Sequence, residues 1–154
     1  MIGSYTWCLK NWEEVSLKEF YAFAHLRVEV FVIEQNCPYQ ELDFKDQKSW
    51  HLWAADGQGT VHAYLRIVRA HVSYKEISIG RVVTSKTARK IGLGNELMER
   101  AMDFIQRELG QQNVRISAQE YLISFYKKYG FKVVGDVYLE DDIPHLEMLF
   151  STLE

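Results

Sequence analysis

Hydrophobic positions along this chain change period several times, and each change marks an element. Tyr5, Trp7 and Leu9 alternate with polar neighbours, the two-residue period of a strand with one buried face. Ser16-Leu17-Lys18-Glu19 is a capping box, with Val15 and Phe20 spaced for a hydrophobic staple. The helix it opens carries Leu17, Phe20, Ala24, Val28 and Phe31 on one face. Residues 38–48 read as an irregular, acidic loop. Runs at 50–55, 61–70 and 76–84 predict strands, the last two joined by a turn near Ser73-Tyr74. Leu93, Leu97, Ala101, Ile105 and Leu109 recur at four-residue spacing and predict a second amphipathic helix. A strand over 113–118, a helix over 122–129 ended by Gly130, and strands over 131–138 and 144–150 complete the series. Helices mixed with a mostly antiparallel sheet predict an α+β or mixed α/β layer fold.

Composition narrows the class. The 154 residues fit one domain, 1–154, with two prolines and no Gly/Ser-rich linker or repeat. A net charge of −3 gives no general attraction to nucleic acid. Nine Tyr, eight Phe and four Trp suit an aromatic core, because no Lys/Arg stripe interleaves with the rings as a base-stacking surface requires. These aromatics and the two C-terminal strands leave a homodimer surface and a buried core equally open. Cys8 and Cys37 have no metal-binding spacing, so no metal is expected; Cys8 reads as a buried thiol and Cys37 as a loop residue. No leader-like N-terminus or run of eighteen apolar residues occurs, so the expectation is a cytoplasmic protein without a membrane partner.

The chemistry concentrates in Arg89-Lys90-Ile91-Gly92-Leu93-Gly94, between the strand over 76–84 and the long helix. The first N–H groups of a helix lack intrahelical partners and lie at the positive end of its dipole, so they bind phosphate oxygens. Gly92 and Gly94 carry no side chain to obstruct a pyrophosphate, and Arg89 and Lys90 add positive charge. No Gly-Lys-Ser or Gly-Lys-Thr follows, which excludes the P-loop. Leu97 stands at the third glycine position of the dinucleotide fingerprint, which excludes that motif too.

What remains, Arg-x-x-Gly-x-Gly after a strand and before a helix, resembles the coenzyme A loop of the GNAT superfamily of N-acetyltransferases. Phe125-Tyr126-Lys127-Lys128-Tyr129-Gly130-Phe131 is similar to that superfamily's Phe-Tyr-x-x-x-Gly-Phe signature. The stretch from Leu26 to Asp43, with Asp46, His51-Leu52 and Ile143-Pro144-His145-Leu146-Glu147-Met148, resembles the ElaA-like subgroup. The resemblance implies a GNAT-like acyl-CoA N-acyltransferase fold, with a central sheet flanked by helices. It implies acetyl-CoA as cofactor, held by backbone groups of Val82, Val83 and Thr84 and by the loop from Arg89 and Lys90 through Ile91, Gly92, Leu93 and Gly94 to Asn95. Tyr126 corresponds to a tyrosine often near the coenzyme A sulfur. Many relatives carry an asparagine just after the preceding strand, where this chain has Gln119.

Acetyl transfer to an amine needs a polarised thioester carbonyl, a neutral amine and a proton for the departing thiolate. Tyr126 is the candidate acid, since a phenol stays protonated at neutral pH. Candidates for the base are Glu34, Glu41, Asp43, His51 and His145, with Glu34 and His145 ranked first. Glu34 falls at the predicted helix end, where the dipole disfavours a carboxylate, and so wants a ligand or cation partner. Arg27 either pairs with an acid such as Glu29 or Asp43 or binds an acidic acceptor. The acids from Glu41 to Asp46 suggest a cationic acceptor, a small-molecule or protein amine. Neither cysteine has an evident base beside it, which favours direct transfer. A non-catalytic acyl-CoA-binding module and a transferase of longer acyl chains are the alternatives.

Overall fold

The computed structural model describes residues 4–152. Seven strands form one sheet: β1 (Thr6–Asn11), β2 (Ser49–Ala55), β3 (Val61–Val68), β4 (Ile77–Thr84), β5 (Val114–Gln119), β6 (Lys132–Glu140) and β7 (Ile143–Phe150). Their order is β1-β2-β3-β4-β5-β7-β6, antiparallel throughout except for β4 against β5. Three helices flank it: α1 (Leu17–Arg27), α2 (Leu93–Glu108) and the short α3 (Ile123–Lys127). The fold is thus the mixed, mostly antiparallel architecture that the hydrophobic pattern predicts.

Two cores form, one on each face of the sheet. The larger joins the α2 stripe of Leu93, Leu97, Ala101 and Ile105 to Leu52, Leu65, Ile79, Val114, Ile116 and Met148. The smaller joins α1 to the other face, through Phe23, Leu26 and Val30 against Trp53, Val61, Tyr64 and Val83. Cys8 is half-buried beside this second core rather than fully enclosed, because it sits on strand β1 at the end of the sheet order.

Helix α1 starts where the capping box places it, with both reciprocal bonds between Ser16 and Glu19 formed. Its buried face differs from the expected one. Phe23, Leu26, Arg27 and Val30 are buried, whereas Leu17 is 90% exposed and Val28 is exposed as well. The apolar pattern counted Arg27 as polar, and that guanidinium is buried because carboxylates from a distant loop surround it. Past Arg27 the helix widens over Val28–Glu34, with Gln35 N donating to Val30 O and Cys37 N to Val32 O across five residues. Val28, Val30, Val32 and Ile33 are β-branched and crowd a regular helical turn.

Strand β4 shapes the centre. Its pairing to β3 steps from Tyr64↔Val83 to Arg66↔Gly80, so β4 carries an extra residue there, and Arg81 has φ 53°. On its other edge, β4 meets β5 only at Ile77↔Val114 and Ser78↔Arg115. Beyond Ser78 the two strands diverge and leave a wedge open between them. Leu97 is 0% exposed in the core beneath it. Leu97→Ala is expected to destabilise the protein by about 2–5 kcal/mol, through lost burial and the cavity left behind. Urea unfolding checks this; a loss under about 1 kcal/mol would mean that the α2–sheet contact collapses around the gap.

Candidate active site

The wedge between β4 and β5 is a cavity of about 770 Å³. One wall is β4 from Ser78 to Thr84, and the opposite wall includes Ser117 and Gln119 of β5 with Leu122, Phe125 and Tyr126. The widened segment after α1, the loop from Cys37 to Lys45 and the β6–β7 turn contribute the remaining sides. Cys37 Sγ lies 3.7 Å from Asp141 O, so the loop and the turn meet. Burial and the nearby Asp141 and Asp142 push the Cys37 thiol up, away from nucleophile chemistry.

At one end stands the glycine loop. Gly92 precedes α2 with φ 86°, a conformation open to glycine, and offers no side-chain cap. The N–H groups of the first turn are therefore left for a ligand. Arg89 and Gly94 line the cavity, as do Val82, Val83 and Thr84, whose strand edge faces the wedge without a neighbouring strand among the described residues. Lys90, Ile91, Gly92 and Leu93 are not among the lining residues, and the Leu93 side chain belongs to the core. Asn95 Oδ1 accepts from Lys128 Nζ at 2.9 Å and from the Tyr129 hydroxyl, which also lies 3.4 Å from Asn95 O, so the backbone N–H is what Asn95 leaves for a ligand. Glu34 has the cation partner its position asks for: Arg89 Nη1 lies 2.7 Å from its carboxylate. Tyr126 lines the cavity and is 6% exposed. Burial, with Tyr121 nearby, holds its phenol well above the ordinary range.

At the other end lies a cluster of three arginines and three carboxylates. Arg27 donates from Nε to Glu41 at 2.7 Å and from Nη1 to Asp46 at 2.8 Å. Arg66 grips Asp43 through both terminal nitrogens, at 2.8 and 2.6 Å, and reaches Asp46 at 3.0 Å. Arg81 donates to Glu41 at 2.9 Å and to Asp43 at 3.3 Å. Against the upward push of burial, Arg66 and Arg81 hold the Asp43 carboxyl well below its usual range. Three expectations change here. Arg27 pairs with neither Glu29 nor Asp43, and at 0% exposure it meets no acceptor. Asp43 lines the cavity, but its charge is spent on arginines. The acids of 41–46 are neutralised one for one, so this loop offers no net negative field.

His51 is likewise removed from substrate. It is 0% exposed, and its Nε2–H donates to Asp46 O at 2.9 Å while Nδ1 accepts from the Tyr64 hydroxyl at 2.7 Å. It stacks on Phe23 at 5.1 Å. Burial, helped by the Arg27 and Arg66 charges, pushes its pKa down to about 4.

His145 lies in the cavity wall. It faces Gln119 across β5–β7 and Tyr138 across β6–β7, so the three side chains share one face of the sheet. Sequence reasoning passed over Arg66, Arg81, Tyr138 and Glu140. Gly80 inside a strand pattern was the available signal for the bulge that presents Arg81. Nothing local marked the others, because their partners lie far along the chain.

A central sheet split at β4–β5, with a glycine loop opening a helix beside the split, defines an acyl-CoA N-acyltransferase fold. The model of the acetyltransferase (GNAT) domain matches residues 15–151, and the chain belongs to that family. It is 45% identical to an acyl-CoA N-acyltransferase from Pseudomonas aeruginosa, covering 96% of this chain and 100% of that one, with a TM-score of 0.91. Against ElaA of Escherichia coli the identity is 33%, the coverage 95% and 99%, and the TM-score 0.88. A UPF0039 protein of Synechocystis is 36% identical over 144 residues, 94% of each chain. No helix among the described residues is long and apolar enough to cross a membrane.

The buried cluster sets the response to acid. Unfolded, His51 takes a proton near about 6.5; in the fold it does so only near 4. Between those values the unfolded chain binds more protons, so stability is full above about pH 6.5 and drains as pH falls towards 4. Asp43 and Asp46, both held low by arginines, add a further loss below about pH 4. Urea midpoints measured from pH 7 down to 4 are expected to fall; a flat series would mean that His51 is solvated.

Proposed function

We propose that this protein is an acetyl-CoA-dependent N-acetyltransferase that transfers the acetyl group directly to an amine acceptor, a small molecule or a protein amine. The supporting observation is the wedge itself: one cavity carries the edge of β4 left unpaired among the described residues, Arg89 and Gly94 of the glycine loop, and Tyr126.

The residues suit acetyl-CoA, which supplies an activated acyl carbon. Uncapped N–H groups at the start of α2, with Arg89 and Lys90, would hold phosphate oxygens. A phosphate drawn to Arg89 competes with the Glu34 carboxylate for it. Backbone groups of Val82, Val83 and Thr84 would meet the acyl arm, and each preorganised donor to a developing oxyanion is worth about 3 kcal/mol. Gln119 adds an amide to the opposite wall. Tyr126 holds a proton for the leaving sulfur. Burial makes it a weaker acid than a free phenol, so it keeps its proton until a thiolate departs. Burial with Asp141 and Asp142 pushes the Cys37 thiol up, and Cys8 does not line the cavity, which favours direct transfer over an acyl-enzyme.

Thermal unfolding with acetyl-CoA, coenzyme A and NAD tests the cofactor. A ligand at about 100 times its dissociation constant stabilises by about 2.7 kcal/mol, so acetyl-CoA and coenzyme A are expected to raise Tm and NAD to leave it unchanged. No shift at millimolar acetyl-CoA overturns the reading. Tyr126→Phe is expected to keep the Tm shift and lower kcat by about 10²-fold or more. Undiminished turnover would take Tyr126 out of the reaction. Binding without turnover of any amine would favour the alternative of a regulatory acyl-CoA-binding module.

A further inference from the structure

The five candidate bases no longer stand level. Glu34 is paired to Arg89, Glu41 and Asp43 are held by arginines, and His51 is sealed in the protein with both ring nitrogens bonded. His145 differs in each respect. Its side chain is 7% exposed, and it lines the cavity.

Its tautomer follows from its neighbours. Nδ1 lies 2.7 Å from Ile143 O, and a carbonyl can only accept, so the neutral ring carries its proton on Nδ1. Nε2 is left with a lone pair. The nearest anion is the Glu140 carboxylate at 3.6 Å, too far for a hydrogen bond but close enough to stabilise an imidazolium. The ring is also fixed in place: it stacks on Tyr138 with centroids 6.0 Å apart. The Tyr138 hydroxyl is hydrogen-bonded to Ser117 Oγ, which lies 3.5 Å from the same Glu140 carboxylate. The other charged and titratable groups near this face are Asp141 and Asp142 in the turn, Tyr74, and Arg115 with its two carboxylates, Glu147 at 2.9 Å and Glu76 at 3.0 Å.

We propose that His145 Nε2 accepts the proton of the acceptor ammonium and that Glu140 is its positioning residue. The proposal rests on the transferase reading above. The ammonium gives one proton to Nε2, and the neutral nitrogen bonds to the thioester carbon. As the C–N bond forms, the C–S bond breaks and the second nitrogen proton passes to the sulfur by way of Tyr126. The products are an N-acetyl amide, a free thiol and an imidazolium that returns its proton to solvent.

NMR of the histidine ring nitrogens tests the assignment without any acceptor. His145 is expected as the Nδ1–H tautomer, and Glu140→Gln is expected to keep that tautomer while lowering kcat on any amine the wild type acetylates. An Nε2–H tautomer overturns the proposal. For activity, thiol release from acetyl-CoA is followed with 1-aminobutane, 1,4-diaminobutane and a lysine-containing peptide. On whichever amine the wild type acetylates, His145→Gln is expected to lose about 10²-fold or more in kcat/KM together with the rise of rate with pH. The same variant is expected to keep the acetyl-CoA Tm shift, which also reports that it folds. An unchanged rate and pH profile in His145→Gln overturn the assignment while leaving the transferase reading intact. Absence of the acetyl-CoA shift in the wild type is the separate signature of that reading's failure.

Discussion

Three guanidinium groups and three carboxylates, from four separate parts of the chain, meet beside the central strands. Arg27 comes from α1, Arg66 from β3, Arg81 from β4, and Glu41, Asp43 and Asp46 from one loop. Each ion is costly to strip of water, and each is compensated by short, mostly charge-assisted bonds. Loss of any one partner would leave a buried charge exposed to a low dielectric, so the set stands or falls together. What it secures is geometry. The acidic loop has no secondary-structure partner of its own beyond the turn at Asp46–Lys48, and arginines pin it across α1, β3 and β4.

The same pinning reaches the cavity. Arg81 occupies φ 53°, an uncommon conformation for a residue with a Cβ, at the point where β4 takes an extra residue. A bulge bends a strand, and β4 parts from β5 two register pairs into their contact. The wedge therefore depends on a strained residue whose side chain is held by Glu41 and Asp43 and whose guanidinium lies 5.4 Å from the Tyr39 ring centre. Chemistry at the wedge is tied in this way to a charge cluster that does not itself touch the glycine loop.

The two faces of the sheet are treated differently, and this divides the site. On one face α2 covers the sheet with a broad apolar core. On the other, α1 covers β3 and β4, while Ser117, Gln119, Tyr138 and His145 share a polar face of β5, β6 and β7 that α1 does not reach. Uncapped N–H groups gather at the start of α2, and the titratable side chains of Tyr138 and His145 stand on the polar strands. Tyr126 lies in the same cavity wall, drawn from the helix that follows β5.

Periodicity and punctuation alone determined most of the fold: the capping box at Ser16, the four-residue stripe of α2, the alternation of β1 and the glycine after α3, whose φ is 91°. These signals are local, since each depends on residues within a few positions of one another. The glycine loop and the Phe-Tyr motif were legible for the same reason. The buried face of α1 was not, because Arg27 is polar by type and apolar by location, and its partners lie fourteen and nineteen residues away. Only the tertiary structure decided which charges cancel, that Glu34 belongs to Arg89, and that His51 and His145 stand in opposite circumstances. A histidine's chemistry is set by what faces its two nitrogens, and that is a property of strands brought together, not of the chain read in order.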